Sequence, residues 1–214
     1  MADRRQRHTD ETRQSLVDEA ARLFAEHGYA ATSLDAIAAG ADVTKGALYH
    51  HFSGKQAVFE AAFEQVQSRA TARIARASGA HPDPWDTAQA GVRAFLEAAQ
   101  EPGYRQVVVS DGPSVLGRER YREREERSTY AVVDRIVRSV ITAEGSDLDE
   151  AMLDTCTRIV FGALSAAGGS VAASDDPGAA AARVETAIAV VLAGLRRLLE
   201  DGTGAPDAGT TSRR

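Results

Sequence analysis

Two short helical periods separated by a tight corner, in TSLDAIAAGADVTKGALYHHFSGK over residues 32–55, constrain this chain more than any other stretch of it. Thr32 with Asp35 three residues on is spaced as a capping box, the hydroxyl accepting the Asp35 amide proton while the carboxylate reaches back to the Thr32 amide. Leu34, Ile37, Ala38 and Ala41 then recur at helical spacing, which gives one buried stripe in which Ala38 is small enough to let another helix cross closely. The corner is Gly40-Ala41-Asp42-Val43. Asp is among the few non-glycine residues that tolerate a left-handed backbone, so Asp42 is expected to turn the chain and Thr44 to cap the next helix.

Advancing by about 100° per residue from Lys45 sets Lys45, Tyr49, Gly46 and His50 within one arc and Ala47, His51, Leu48 and Phe52 in the opposite one. One face packs; the other carries an ammonium, a phenol and an imidazole, with a glycine that lets backbone approach closely. That is the layout of a DNA-reading helix-turn-helix, with His51 on the packed side and His50 at the edge of the open one. Ser53 with Gln56 reads as a second capping box, which brings Lys55 into a first turn whose free N–H groups favour a phosphate. The candidate DNA contacts are therefore Thr32, Thr44, Lys45, Gly46, Tyr49, His50 and Lys55.

Phe24, Gly28, Tyr29, Thr32, Ile37-Ala38, Ala41, Val43-Thr44, Gly46, Leu48-Tyr49, His51-Phe52 and Lys55, taken at their spacing, resemble the tetracycline-repressor (TetR) type of bacterial transcriptional regulators. Asp42 departs from the glycine usual there. The resemblance implies an all-α homodimer whose three N-terminal helices bind double-stranded operator DNA and whose C-terminal domain binds a small-molecule inducer, acting more often as a repressor. It further implies that the last two helices form a four-helix dimer interface.

A net charge of −6 over 214 residues does not by itself point to DNA, so attraction for phosphate has to be local. Arg4, Arg5 and Arg7 supply it in residues 1–8, read as a mobile basic arm, and the only two lysines, Lys45 and Lys55, fall in the candidate interface. The single cysteine, Cys156, excludes an intramolecular disulfide and a multi-cysteine metal site, and no cofactor is expected. With no run of about 18 apolar residues and a polar N-terminus, the protein is expected to be cytoplasmic, with no membrane partner. An enzyme is disfavoured by the lack of a G-x-S-x-G elbow, a phosphate loop, a dinucleotide glycine fingerprint or an H-E-x-x-H motif. A DNA-binding protein without inducer is the other alternative, but it leaves most of the chain without a role.

Along the chain, a helix over about residues 9–27 presents Leu16, Ala20, Leu23 and Phe24 and stops at Gly28. One long helix follows Phe52 to about Ala77, a lever between the two halves. After a Gly/Pro-rich linker, Asp83 caps and Pro84 starts a helix to about Gln100. Val107 to Val109, with no second strand to pair with, read as helix, Asp111-Gly112-Pro113 as a break, and 118–127 as a solvated charged helix. The segment Asp-Gly-Pro-Ser-Val-Leu-Gly is also similar to one found in a subgroup of TetR-type regulators. Ser146 with Asp149 is expected to cap a helix over about 147–173, and Pro177 to open another to about Leu199.

The expected organisation is a DNA-binding domain over 1–54, a helical regulatory and dimerisation domain over 55–200 and a disordered tail over 201–214. Phe63, Trp85, Phe95, Tyr104, Val108, Tyr121 and Phe161 are the candidate lining of a mostly apolar cavity suited to a hydrophobic or aromatic ligand. Small residues crowd the last two helices, and Gly162, Ala166, Gly169, Ala187 and Val191 are the candidate dimer contacts, since glycine inside a helix costs about 1 kcal/mol relative to Ala and close helix approach offsets it.

Overall fold

The structure is a computed structural model that describes residues 2–79, 81–145 and 148–200, except for the side chains of residues 2–6, 8, 199 and 200. Among these residues ten α-helices and one π-helix follow each other with no strand, the all-α class expected. The expected tail at 201–214, Ser146 and the side chains of Arg4 and Arg5 lie outside the described residues.

Helix α1 (Ala2–Ala31) is interrupted at Gly28, whose φ of 75° and ψ of 169° are reached freely only by glycine. Residues 2–8, expected as an arm, continue α1 instead, because nothing in ADRRQRH breaks a helix. Helix α2 (Leu34–Gly40) is capped by Ser33, whose hydroxyl accepts the Ala36 amide proton at 3.1 Å. Thr32 is therefore not the cap. It is 3% exposed and donates inward to the carbonyls of Leu23 and Gly28, at 3.2 and 2.9 Å.

Asp42 takes a φ of 55° as expected, and Thr44 caps α3 (Lys45–His51) by accepting the Ala47 amide proton at 3.1 Å. Helix α4 (Lys55–Ser78) starts one residue later than the expected box: Gly54 is its cap, no side chain bonds there, and the Gln56 amide turns to Glu60 and the Val115 carbonyl. In α5 (Pro84–Gln100), Asp83 accepts the amide protons of Trp85 and Asp86 as expected.

Tyr104–Asp111 is helical but in the π register, with one residue more per turn than the sequence reading supposed. Asp111-Gly112-Pro113 is not a break, because a proline in the first turn of α6 (Gly112–Leu116) forfeits no hydrogen bond. The chain breaks at Gly117, with a φ of 80°, before α7 (Arg118–Ser128). Helix α8 (Tyr130–Ala143), on which no element was expected, follows at once. Asp149 caps α9 (Glu150–Ala172), accepting from the Met152 amide at 2.8 Å, so this helix begins three residues late. Asp176 accepts the Ala179 amide proton at the start of α10 (Pro177–Glu200).

Packing ties these elements into one body. The largest core runs from Leu16 and Phe24 through Ile37, Leu48 and Phe59 to Tyr104, Val107, Val108 and Leu116, so the helix-turn-helix shares its interior with α4 and the π-helix. Rings continue that path: Phe24 and Tyr29 each meet Phe59 edge-on at 5.2 Å, and Phe63 meets Tyr121 at 5.9 Å. Two smaller cores sit farther out, around Leu96, Val171 and Ala180 and around Ile74, Ala94 and Val132.

Candidate nucleic-acid interface

Helix α3 divides its side chains as its periodicity requires. Leu48 is fully buried and Phe52 is 5% exposed beneath the Arg13 guanidinium, 5.2 Å from its ring centre, while Lys45, Gly46, Tyr49 and His50 face outward. Tyr49 is half exposed, and a Cβ on Gly46 would meet only the Thr44 hydroxyl, at 3.9 Å, so backbone can be approached there. His51 is half-buried. Burial, then the adjacent His50 and Arg13, hold its imidazole below the usual range, so it is neutral at neutral pH.

Lys45 is not bare: its ammonium pairs with Asp35 on α2 at 2.7 Å, and this bond and then the carboxylate charge raise its pKa. Both side chains are more than half exposed, so the pair is weakly held and exchangeable for a phosphate or base edge. Asp35 was expected only in the capping box with Thr32, and its reach across the corner had no one-dimensional signal. Lys55 Nζ donates to the Ala30 carbonyl at 3.1 Å and lies 4.4 Å over the Tyr29 ring, which sets its charge at the end of α1 rather than over the first turn of α4. Thr32, enclosed as described, presents no hydroxyl to a phosphate and leaves the candidate set; Thr44, Lys45, Gly46, Tyr49 and His50 share one surface.

A half-buried carboxylate joins the two halves. Asp111, at the end of the π-helix, accepts the Tyr29 backbone proton at 2.7 Å and the Gln106 side-chain amide at 3.1 Å, immediately after the Gly28 kink. Sequence reading had placed Asp111 only in the Asp-Gly-Pro break.

The seven residues expected around one cavity are dispersed. Phe63, Tyr104, Val108 and Tyr121 belong to the first core, but Trp85 is 4% exposed with its indole donating to Glu144 at 2.6 Å. Phe95 closes against Gly168, and Phe161 packs edge-on to Tyr130 at 5.6 Å. Close packing of small residues on α9 spent Phe95 on another core. A polar cleft of about 490 Å³ lies between α4 and α7, lined in part by Glu64, Gln67, Arg124 and Ser128.

On α9 and α10 the candidate dimer residues Gly162, Ala166, Ala187 and Val191 are exposed, and a Cβ on Gly162, Gly169 or Gly194 would meet nothing within 4 Å. Beside them Ile159 and Val190 are 66% and 68% exposed, and Val160, Leu195 and Leu198 extend the same apolar strip.

A kinked roof helix over a left-handed corner and a short, outward-facing recognition helix, sharing its core with the helices that follow, defines a helix-turn-helix transcriptional regulator. Residues 16–62 match the model of bacterial regulatory proteins of the tetR family, and residues 85–195 that of the tetracyclin repressor-like C-terminal domain. The chain belongs to the TetR family, whose members are regulators and not enzymes. It is 31% identical to a TetR-family transcriptional regulator from Pectobacterium atrosepticum, covering 88% of this chain and 95% of that one with a TM-score of 0.74. Over 54 residues it is 52% identical to the transposon Tn10 TetC protein of Escherichia coli, 25% of this chain and 27% of that one. Over 68 residues it is 43% identical to the transcriptional regulator AcrR of Shigella flexneri, 32% of each. These matches span a third or less of the curated relatives.

Proposed function

We propose that the chain is a cytoplasmic repressor that binds a pseudo-palindromic operator as a homodimer and leaves it when a small molecule occupies the regulatory half. The outward face of α3 carries the first part of this reading: Lys45, Gly46, Tyr49 and His50 are exposed and stand together on a helix short enough to enter a major groove. The apolar strip on α9 and α10 carries the second. Helix α10 is long and apolar enough by composition to cross a membrane, yet it packs on α5 and α9 and its exposed strip continues onto α9, which favours a matching helix pair over lipid.

Release follows from linkage. Helix α4 starts beside the recognition helix and ends in the outer core, and Asp111 fixes the roof helix to the π-helix, so a ligand that favours another setting of these elements changes the spacing of the two recognition helices. Phe63, Tyr104, Val108 and Tyr121, which do cluster, form the aromatic and apolar wall that such a ligand would meet. The test is calorimetry of a ligand with free protein and with protein on a duplex selected from a random library. The ligand should bind the DNA-bound form more weakly by the same factor by which it weakens DNA binding. Equal ligand affinity for both forms sinks the release mechanism, and failure to select any duplex sinks the regulator.

A further inference from the structure

The polar cleft of about 490 Å³ between α4 and α7 has walls built from one stripe of each helix. Glu60, Glu64 and Gln67 line it from α4, and Arg120, Arg124 and Arg127 from α7, both at the four-and-three spacing that keeps side chains on one helix face. Contacts between the helices order the cleft along its length. Glu60 lies 3.7 Å from Arg120 toward one end, and Thr71 Oγ1 lies 3.4 Å from Thr129 Oγ1 just past the other.

The two ends differ in how their polar groups are met. Toward Glu60, Arg124 is held by Glu60 at 2.9 Å and also by Glu64, so acid and base neutralise each other there. Toward Thr71 the groups are left open. Arg127 is exposed and makes no ion pair among the described residues, and the Ser68 hydroxyl makes no hydrogen bond among them. Gln67 is only 4% exposed, yet its amide also has no hydrogen-bond partner among the described residues. No fully enclosed side-chain nitrogen or oxygen among these residues lacks a partner, so the Gln67 amide opens onto space, and the space it lines is the cleft. An amide buried to this degree has surrendered most of its water, which makes leaving it unmet costly. Ser128 lines the cleft as well; its hydroxyl donates to the Glu125 carbonyl at 3.3 Å, which leaves its oxygen to accept.

We infer that this end of the cleft binds the carboxylate of a small polar monoanion. The Arg127 guanidinium supplies the charge, and the Gln67 amide and Ser68 hydroxyl supply further donors to the two carboxylate oxygens. A single unpaired cation limits the charge of the ligand. A phosphate monoester, with close to two negative charges, would set its excess against Glu64 and Glu123, which line the same cleft. The remaining walls are ionic rather than apolar, so the body of the ligand carries hydroxyl groups, which the Ser128 oxygen and the Glu64 carboxylate accept. Phe63, Tyr104, Val108 and Tyr121 are not among the residues that line this cleft, so the site goes beyond the aromatic wall proposed for the inducer, and its test does not depend on that wall.

The probes are quinate and gluconate, a cyclic and an open-chain hydroxycarboxylate, both ionised at about pH 7.5. Two controls separate charge from polarity: myo-inositol has a hydroxylated ring without the charge, and cyclohexanecarboxylate has the ring and charge without the hydroxyls. In calorimetry on the full chain, at least one hydroxycarboxylate should bind saturably, about tenfold or more tighter than myo-inositol and several-fold tighter than cyclohexanecarboxylate. Arg127→Gln should bring that hydroxycarboxylate down to the level of myo-inositol. Gln67→Leu should weaken it several-fold while melting no lower than wild type, because the amide makes no bond that the fold would lose. Duplex binding without probe should be unchanged in both variants. Absence of saturable hydroxycarboxylate binding at millimolar concentration, equal binding of myo-inositol, tighter binding of cyclohexanecarboxylate, or unaltered binding in Arg127→Gln each overturns the inference.

Discussion

Replacing Asp111 by alanine should loosen the roof helix from the regulatory half. The carboxylate takes the Tyr29 backbone proton at 2.7 Å in a half-buried position, and alanine leaves that N–H without its acceptor. A hydrogen bond to a charged group contributes about 1.5–3 kcal/mol, and a lost partner for a buried donor costs a similar amount. For a chain of this size each kcal/mol moves the melting midpoint by about 2–4 °C, so Asp111→Ala should melt about 3–12 °C lower. Asp111→Asn keeps a carbonyl acceptor without the charge and should lose about half as much. Denaturant unfolding followed by circular dichroism gives the free energy directly, and anisotropy with the selected duplex should show weaker binding in the same order, since Gly28 then holds its kink without support. An Asp111→Ala chain within about 0.5 kcal/mol of wild type would refute the clamp, because the bond would then be no better than the solvent contact that replaces it.

Lys45→Ala and Tyr49→Ala should each abolish selective duplex binding with helical content intact, and wild-type affinity in the Tyr49 variant would remove α3 from the groove. Lys55→Ala should weaken all sequences alike and reduce the salt slope by about one, together with a small loss of melting temperature from the lost Ala30 and Tyr29 contacts. Gly162→Arg or Ala166→Arg should yield monomers by sedimentation, whereas a persistent dimer would place the interface elsewhere. The Glu125 carboxyl, raised above 4.5 by burial when folded, binds its proton more tightly in the native state, so stability drops as pH rises from about 4.5 through the folded value. Glu125→Gln should abolish that drop, and an identical pH profile in the two chains would show that the carboxyl is not desolvated.

What the sequence disclosed depended on how local each cause was. Asp42 and Thr44 act within three or four residues, and so their left-handed turn and cap were legible, as was the division of α3 between Leu48 and Tyr49. The cap was misplaced by one residue because Ser33 offers the same chemistry, and Thr32 instead donates to the carbonyls of Leu23 and Gly28, nine and four residues back. The π register of Tyr104–Asp111 and the continuation through Pro113 depend on the surroundings of Val107 and Asp111, not on their identity. Gln67 is an ordinary surface type in one dimension. Its burial becomes visible only once Phe63 and Thr71 fix the partner helix.

Dimerisation as proposed on the apolar strip of Ile159, Val190, Val191, Leu195 and Leu198 would also set how gene dosage is read. If two copies must meet on that strip before both recognition helices reach their grooves, dimer concentration below the dimer dissociation constant falls with the square of the amount of chain. Halving the supply of this protein then cuts the DNA-competent species about fourfold, and repression ends over a narrower range of abundance than a monomeric binder would allow.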